Sequence, residues 1–229
     1  MSRAGTSGRA GTSGGARRPT AASLLAATLR DRILEGTYAR GEALREEHLA
    51  SEFGLSRHTV RTALAALSAE RLVHAAPYKG VQVTKLDAAE IRAMQDLRCA
   101  LESEAVRILN ETYPHGWSVE VLAPILARIA RLRALEATDA DSWRLLETAH
   151  AAVHQAVIDA AGSPRISEAA RALESEVRLL LAGAHEHYGA EGLADEHEDY
   201  VRLLQAEGPD AVRAHLDALT AHLLAAPLP

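Results

Sequence analysis

The stretch that decides the fold of the N-terminal third is Arg45–Leu67, which reads REEHLASEFGLSRHTVRTALAAL. The residues Glu46–Phe53 have helical spacing, and Gly54 is expected to end that helix because glycine adopts left-handed backbone angles without steric cost. Ser56 can cap a second helix. The apolar residues of this second helix recur with a helical period at Val60, Ala63, Leu64 and Leu67. Two short helices around a glycine turn predict a helix-turn-helix, although two ordinary helices of a bundle would share the pattern.

A β-hairpin is predicted directly after this motif. Short strands are expected at 72–75 and 81–84, with Pro77 and Gly80 in the turn between them. A hairpin in this position is typical of the wing of a winged helix-turn-helix. Its tip and the opening turn of the second helix carry the groups that DNA contacts require. The predicted DNA-binding residues are Arg45, Ser56, Arg57, His58, Thr59, Arg61, Lys79 and Gly80.

Upstream of the motif, 20–35 is predicted to be a helix that completes a DNA-binding domain over 20–85. Residues 1–19 contain a direct repeat, RAGTSG, and no large apolar residue, so we expect a disordered basic tail. This tail has four Arg and no acid, whereas residues 86–229 have twelve Lys and Arg against twenty-four Asp and Glu. The basic end therefore coincides with the predicted helix-turn-helix, as binding to nucleic acid requires.

Composition limits the class of protein. Aromatic residues are only 3% of the chain, so the core must be built from Leu, Val and Ala, which favours helices. No run approaches the roughly 18 apolar residues of a membrane span, and the N-terminus lacks the apolar segment of a secretory signal. A single cysteine, Cys99, allows no internal disulfide and fits a reducing compartment. We therefore expect a cytoplasmic protein without membrane contact.

The second domain, 86–229, is predicted to be an antiparallel bundle of about six helices, which makes the fold mainly α. The expected helices cover 87–110, 118–137, 141–161, 165–187, 195–206 and 210–224. Asp87 caps the first of them, and Pro124 either kinks the second or lies in its first turn.

Eleven histidines are present, and most lie in the acidic half. His150 and His154 are four residues apart and leave the same face of one helix. His197 opens another helix, while His215 and His222 share a face of the last. A pair of imidazoles joined by single histidines from other helices can form a metal site inside a bundle, although surface histidines would give the same pattern.

Two segments carry a family resemblance. The pieces ILEGTYARGEAL, EEHLASEFGLSRHTVRTALAAL and ERLVHAAPYKGVQV resemble, in order, the winged helix-turn-helix of the GntR family of bacterial transcription regulators. The pieces DLRCALESEAVRI, AHAAVHQAVIDAAGSPRI and DEHEDYVRLLQAEGPDAVRAHLDALTAHL resemble the FCD domain, the effector-binding domain of the FadR-type branch. Departures from the family occur at His58, where Thr is frequent, at Thr59, where Pro is common, and at Arg71, which replaces a frequent Gly.

The resemblance implies a ligand set. FCD domains commonly bind a divalent metal through an Asp and three His. His154, His197 and His222 match the three histidines, and His150 occupies the Asp position. His215 is the alternative for the last ligand, because the loop before the final helix leaves the register open. Four imidazoles would favour Zn²⁺ or Ni²⁺ over harder ions. Arg98 and Glu102 match a family Arg and Glu, and Arg98 could pair with the carboxylate of a small effector, although the two residues could equally form a plain helix salt bridge. Arg178 and Ser163, which stands where the family often has Asn, are further candidates for effector binding.

These patterns together predict a homodimeric, ligand-responsive transcription regulator, of the repressor kind, that binds a pseudo-palindromic operator. One alternative is a metal-dependent hydrolase that uses the histidines, with Glu147 as the nearby acid or base. No catalytic motif supports it. The other alternative is a DNA-binding protein without an effector, which would leave the helical bundle unexplained.

Overall fold

The computed structural model describes residues 18–76, 80–135, 140–182 and 192–225, without the side chains of 140–142. The predicted disordered tail lies outside these ranges except for its last two positions, and so does Lys79 at the predicted wing tip. Helices dominate the described residues, so the prediction of a mainly α protein with an N-terminal winged helix-turn-helix is confirmed. Among the described helices, none is long and apolar enough to cross a membrane.

The N-terminal domain holds three helices and a small antiparallel sheet. Its elements are α1 (Ala21–Leu34), β1 (Ala43–Leu44), α2 (Glu46–Phe53), α3 (Arg57–Ala69), β2 (Val73–Ala76) and β3 (Gly80–Val83). The predicted hairpin is present as β2 and β3, but β3 also pairs with β1 on its other edge. The sequence analysis placed no strand at β1, because two residues are too few to show an alternating pattern.

Local signals set the geometry of the helix-turn-helix. Gly54 follows α2 with φ of 63°, the left-handed conformation expected at this position. The Ser56 side chain caps α3 by accepting a hydrogen bond from the Thr59 backbone N–H at 3.1 Å. Leu29, Leu49 and Leu67, one from each helix, are almost completely buried in the shared core. This packing fixes α3 relative to α1 and α2 and leaves its opening turn exposed.

The C-terminal domain is all helical. Its elements are α4 (Ala88–Thr112), α5 (Val119–Arg133), α6 (Ala140–Ala160), α7 (Pro164–Ala172), α8 (Glu174–Ala182), α9 (Leu193–Glu207) and α10 (Pro209–Ala225). The single helix predicted from 165 onward is two helices that meet at Leu173. Neither glycine nor proline marks this junction, so no local signal could have located it. Tertiary packing accompanies the junction, since Leu173 and Val177 are both buried in a cluster with residues of α4 and α10.

The bundle packs α4 against α10 and α5 against α6. Asp87 caps α4 through a reciprocal capping box with Glu90, as its sequence indicated. Pro124 lies in the interior of α5 rather than in its first turn. Since proline donates no backbone hydrogen bond, it leaves the ladder of α5 open at one point, on the side that faces a cavity.

The helix α8 connects the two domains. Leu179 is 2% exposed and belongs to the hydrophobic core of the N-terminal domain. The Arg40 guanidinium donates a 2.7 Å hydrogen bond to the Leu179 carbonyl. Glu70, at the end of α3, accepts hydrogen bonds from Arg30 and from the Ser175 hydroxyl. Contacts on one face of α8 therefore fix it to the DNA-binding domain.

Candidate nucleic-acid interface and metal centre

The N-terminal turn of α3 presents polar side chains to solvent. Ser56, Arg57, His58 and Arg61 are exposed, and Thr59 is half-buried. The hydroxyls of Ser56 and Thr59 lie 2.8 Å apart, so both take part in the cap as well as facing outward. Arg45 is exposed at the start of α2. Gly80, the first residue of β3, has φ of 78°. An exposed helix N-terminus with cations beside it can contact both phosphates and base edges.

Two glutamates of α2 hold the arginines of α3. Glu47 lies 2.8 Å from a guanidinium nitrogen of Arg57. The Glu46 carboxylate accepts from two nitrogens of Arg61, at 3.2 and 3.3 Å. The sequence analysis did not single out these glutamates. Such exposed pairs contribute little to stability. Their contacts orient the guanidinium groups of Arg57 and Arg61.

Four histidines from three helices meet in the core of the bundle. His150 and His154 come from α6, His197 from α9 and His215 from α10, and one ring nitrogen from each lies within 4.8 Å of the others. The Nε2 atom of His154 is 3.3 Å from Nε2 of His150 and 3.3 Å from Nε2 of His197. Tetrahedral zinc with Zn–N bonds of about 2.0–2.1 Å places ligand nitrogens about 3.3–3.4 Å apart. Two of the nitrogen–nitrogen distances therefore match those around a tetrahedral dication, and all four nitrogens lie within 4.8 Å of one another.

Hydrogen bonds on the far side of the rings fix their tautomers. The Nδ1 atom of His154 lies 2.9 Å from a carboxylate oxygen of Glu102, and Nδ1 of His197 lies 2.7 Å from the Leu193 carbonyl. Each Nδ1 must carry the proton, because both partners only accept. The lone pairs of both Nε2 atoms then face each other. The Nε2 of His215 is buried with no hydrogen-bond partner among the described residues. A cation between these nitrogens would remove the repulsion and satisfy all of them.

The fourth histidine of this group is His215, not His222, so the preferred ligand of the sequence analysis is corrected to its alternative. Seven residues on a helix correspond to about 10 Å along its axis. With His215 inside the cluster, His222 lies two turns away and is exposed. The register of the last helix could not be determined from sequence, because it depends on how the loop before α10 closes.

Burial keeps three of the four rings neutral. It lowers the pKa of His150 well below its usual value, with the neighbouring rings adding to the effect. Burial and the nearby His154 lower the pKa of His197 to about 4, and burial with the same neighbour lowers that of His215 to about 3. Neutral imidazole is the form that binds metals, so these rings can ligate without releasing protons at neutral pH.

A cavity of about 530 Å³ adjoins the histidines. Arg98, Glu102 and His154 line its inner end, and all three are buried. Burial opposes ionisation of Glu102, but the adjacent His154 and Arg98 hold the pKa of its carboxyl below the usual range. Gln95 accepts a 2.7 Å hydrogen bond from Arg98 and so orients the guanidinium. The inner end of the cavity can therefore bind an anion.

The predicted effector residues are only partly brought together. Arg98 and Glu102 line the cavity, but Ser163 and Arg178 are not among its lining residues. Ser163 precedes α7, at the end of the α6–α7 connection. Arg178 lies on α8 near Glu147, a carboxyl whose pKa burial raises to about 7. The effector roles of Ser163 and Arg178 therefore stay predictions, which the lining of this cavity does not support.

One residue of the site was missed by the sequence analysis. Tyr200 donates a 3.0 Å hydrogen bond to Glu102, and its ring stacks on His215 with centroids 4.2 Å apart. It lies three residues after His197, on the same face of α9. That three-residue spacing is the feature of the sequence from which the position of Tyr200 beside His197 could have been predicted.

A winged helix-turn-helix followed by a helical bundle with a ligand-sized cavity defines a DNA-binding protein with a second, sensing domain. Two family models match the chain: "Bacterial regulatory proteins, gntR family" over residues 22–83 and "FCD domain" over residues 93–223. The chain belongs to the GntR family of bacterial transcription regulators, in the branch that carries an FCD domain. The prediction that it is a regulator and not an enzyme is thereby confirmed.

Several relatives align with this chain over both domains. The E. coli K12 "HTH-type transcriptional repressor GlaR" is 29% identical, with 88% of this chain and 91% of the relative covered. The "Probable D-xylose utilization operon transcriptional repressor" of Paenarthrobacter nicotinovorans is also 29% identical, with 84% and 81% covered. A solved GntR regulator from Rhodococcus sp. RHA1 has the same fold, with a TM-score of 0.70 at 24% identity over 90% of this chain and 98% of the other.

Proposed function

We propose that this chain is a homodimeric transcriptional repressor of the cytoplasm whose FCD domain binds a divalent metal and a small carboxylate effector. Relatives named as repressors support the direction of control. The observation that carries the metal part is the pair of Nε2 atoms of His154 and His197, which face each other at 3.3 Å. Zn²⁺ and Ni²⁺ are the favoured ions, because all four candidate ligands are imidazoles.

Metal analysis of matched variants tests the site. We expect purified wild-type protein to hold about one zinc or nickel ion per chain, and His154→Ala and His215→Ala to lose most of it. His222→Ala is the control, since it removes an exposed histidine from the same helix as His215. Equal metal content in His215→Ala and wild type would contradict the ligand set, and negligible metal in wild type would contradict the site.

The DNA-binding half of the proposal rests on α3. In a dimer, two such helices about one turn of DNA apart would read a pseudo-palindrome. Arg57, His58, Thr59 and Arg61 would face bases or phosphates, with Arg45, Ser56, Lys79 and Gly80 beside them on the backbone. The departures at His58 and Thr59 would make its operator differ from those of relatives.

Replacing Arg61 tests this interface. We expect Arg61→Ala to weaken binding to a selected operator by about 1–3 kcal/mol if the guanidinium contacts a guanine. Arg107→Ala, on the exposed face of α4, is the control for loss of one positive charge. Operator fragments selected from random DNA provide the probe, and gel-shift titrations at fixed salt provide the affinity. Unchanged affinity of Arg61→Ala would contradict the assignment.

The proposed effector site depends on Arg98. Its guanidinium is buried, oriented by Gln95 and placed at the cavity end beside His154. It would hold the effector carboxylate through paired hydrogen bonds, and a bound dication would supply a second attraction for the same group. An effector in this cavity contacts α8, so its binding would alter how the two DNA-binding domains of a dimer are held.

A further inference from the structure

The walls of the cavity divide into a polar end and a long aliphatic part. Most of the remaining lining residues are alanines and larger apolar side chains. The larger ones are Leu101, Val121, Pro124, Ile158, Leu173 and Val177. They come from α4, α5, α6 and α8 and from the junction between α7 and α8, so they surround the space from several directions. The middle of the cavity is therefore apolar.

The polar groups that do line this space already have partners or lie at its edge. The Thr148 hydroxyl donates to the Arg144 carbonyl at 2.9 Å. The Gln155 amide donates to Asp159, which also accepts from Arg171. Glu102 accepts from His154 and Tyr200. The remaining charged lining groups, Glu120, Arg128 and Glu174, are exposed and so lie on the solvent side.

A hydroxyl on the part of a ligand that lies against the apolar side chains would lose its bonds to water and find no polar partner among those side chains. An unsatisfied buried hydroxyl is strongly unfavourable, whereas each buried methylene improves affinity by about fourfold. A sugar acid carries a hydroxyl on almost every carbon. Two relatives are named for the D-xylose utilization and gluconate operons, so their names alone would suggest a sugar-derived effector for this chain. The apolar lining of this cavity argues against such an effector.

We infer that the effector is a carboxylate with an aliphatic or aromatic body, and that polyhydroxylated sugar acids are excluded. The inference rests on the proposed function, because it takes the carboxylate to lie at Arg98. The apolar body extends from there between Val121 and Ile158 toward Leu173 and Val177. At about 530 Å³, the cavity accommodates an organic acid larger than acetate or lactate.

A matched pair of six-carbon acids tests this class. Hexanoate and gluconate have equal chain length and equal charge, and differ in five hydroxyls. With zinc-loaded full-length protein, calorimetry should show hexanoate binding at least tenfold more tightly than gluconate, and octanoate more tightly than hexanoate. 1-Hexanol has the same body without the carboxylate and should not compete. Gluconate binding as tightly as hexanoate would overturn the inference while leaving the proposed carboxylate site standing.

Variants of the cavity wall test where the apolar body lies, and a variant of Arg98 tests the carboxylate site. Ala156→Ser and Val177→Thr each add one hydroxyl to the wall with little change in volume, and should weaken hexanoate binding by about tenfold. Unchanged hexanoate affinity in both folded variants would overturn the placement of the body. Arg98→Gln should abolish binding of hexanoate and of gluconate alike. If neither acid binds wild type, both the proposed carboxylate site and this inference fail.

Discussion

At the scale of single residues, Arg71 stands out because its φ is 56°, the one left-handed backbone angle at a described residue other than glycine. It occupies the turn between α3 and β2, where the family frequently has Gly. Side chains with a Cβ are strained in this conformation by about 1–2 kcal/mol. The family comparison thus identified a departure whose physical meaning only the backbone angle reveals.

Replacing this arginine should stabilise the protein. We expect Arg71→Gly to raise the free energy of unfolding by about 1 kcal/mol, because relief of strain exceeds the added entropy of the unfolded chain. The weak 3.8 Å pair of Arg71 with Glu176 offsets little of this gain. Urea denaturation measures the change. Gly54→Ala is the reciprocal control and is expected to destabilise the protein, since the φ of Gly54 is 63°. An added methyl group would meet no neighbour there, so the change measures backbone strain alone. Destabilisation by Arg71→Gly would contradict the account.

Residue identities in the candidate metal site could be predicted from the sequence only within a helix. The pair His150 and His154 follows from the four-residue spacing of α6, which any helix enforces. The choice between His215 and His222 could not be made, because it depends on the path of the chain into α10. Likewise, the partners Glu102 and Tyr200 come from α4 and α9, and their meeting depends on how those helices pack.

At the scale of elements, α8 is the helix whose position sequence reasoning described least well. The break at Leu173 separates it from α7 and allows two of its faces to serve two domains. Glu174 and Val177 line the cavity, while Ser175 and Leu179 contact the DNA-binding domain. Periodicity predicted a helix here but could not show that one of its leucines belongs to a different core.

Truncating that leucine should loosen the DNA-binding domain from α8. Leu179→Ala is expected to destabilise the protein by about 2–5 kcal/mol, because it leaves a cavity in a packed core. Leu181→Ala is the matched control, being equally buried on the same helix but packed in the cluster with Leu219 and Leu223. Hydrogen exchange should show faster opening of α1 in Leu179→Ala alone. Equal protection of α1 in both variants would contradict the bridging role.

At the scale of the whole molecule, the Glu70 carboxylate joins the DNA-binding domain to α8 through a hydrogen bond. Glu70 accepts hydrogen bonds from Nε and Nη2 of Arg30 within the DNA-binding domain, and the Ser175 hydroxyl of α8 donates to the same carboxylate. The hydrogen bond from Arg30 lowers the pKa of the Glu70 carboxyl in the folded protein. Domain arrangement of this kind was outside what sequence could predict, since the partners are 40 and 105 residues apart.

Acid should weaken this connection. Because the pKa of Glu70 is lower in the folded state than its ordinary 4.5, its contribution is complete above that pH and is lost as pH falls through the folded pKa. The stability difference between wild type and Glu70→Gln should therefore be constant above about pH 5.5 and shrink on acidification. Urea denaturation at a series of pH values measures it. Glu207→Gln, at the exposed C-terminal end of α9, is the control. A difference that grows on acidification would contradict the assignment.

The four-imidazole donor set has a consequence for charge balance in the protein interior. Where the family usually supplies an aspartate, His150 supplies a neutral ring, so a bound dication would keep its full charge next to the cationic Arg98. Glu102 offers only one compensating negative charge. The organic anion would thus be the missing counterion of the core, and each would raise the affinity of the other by the same factor. Such a regulator would sense metal and acid jointly, as a coincidence of two signals.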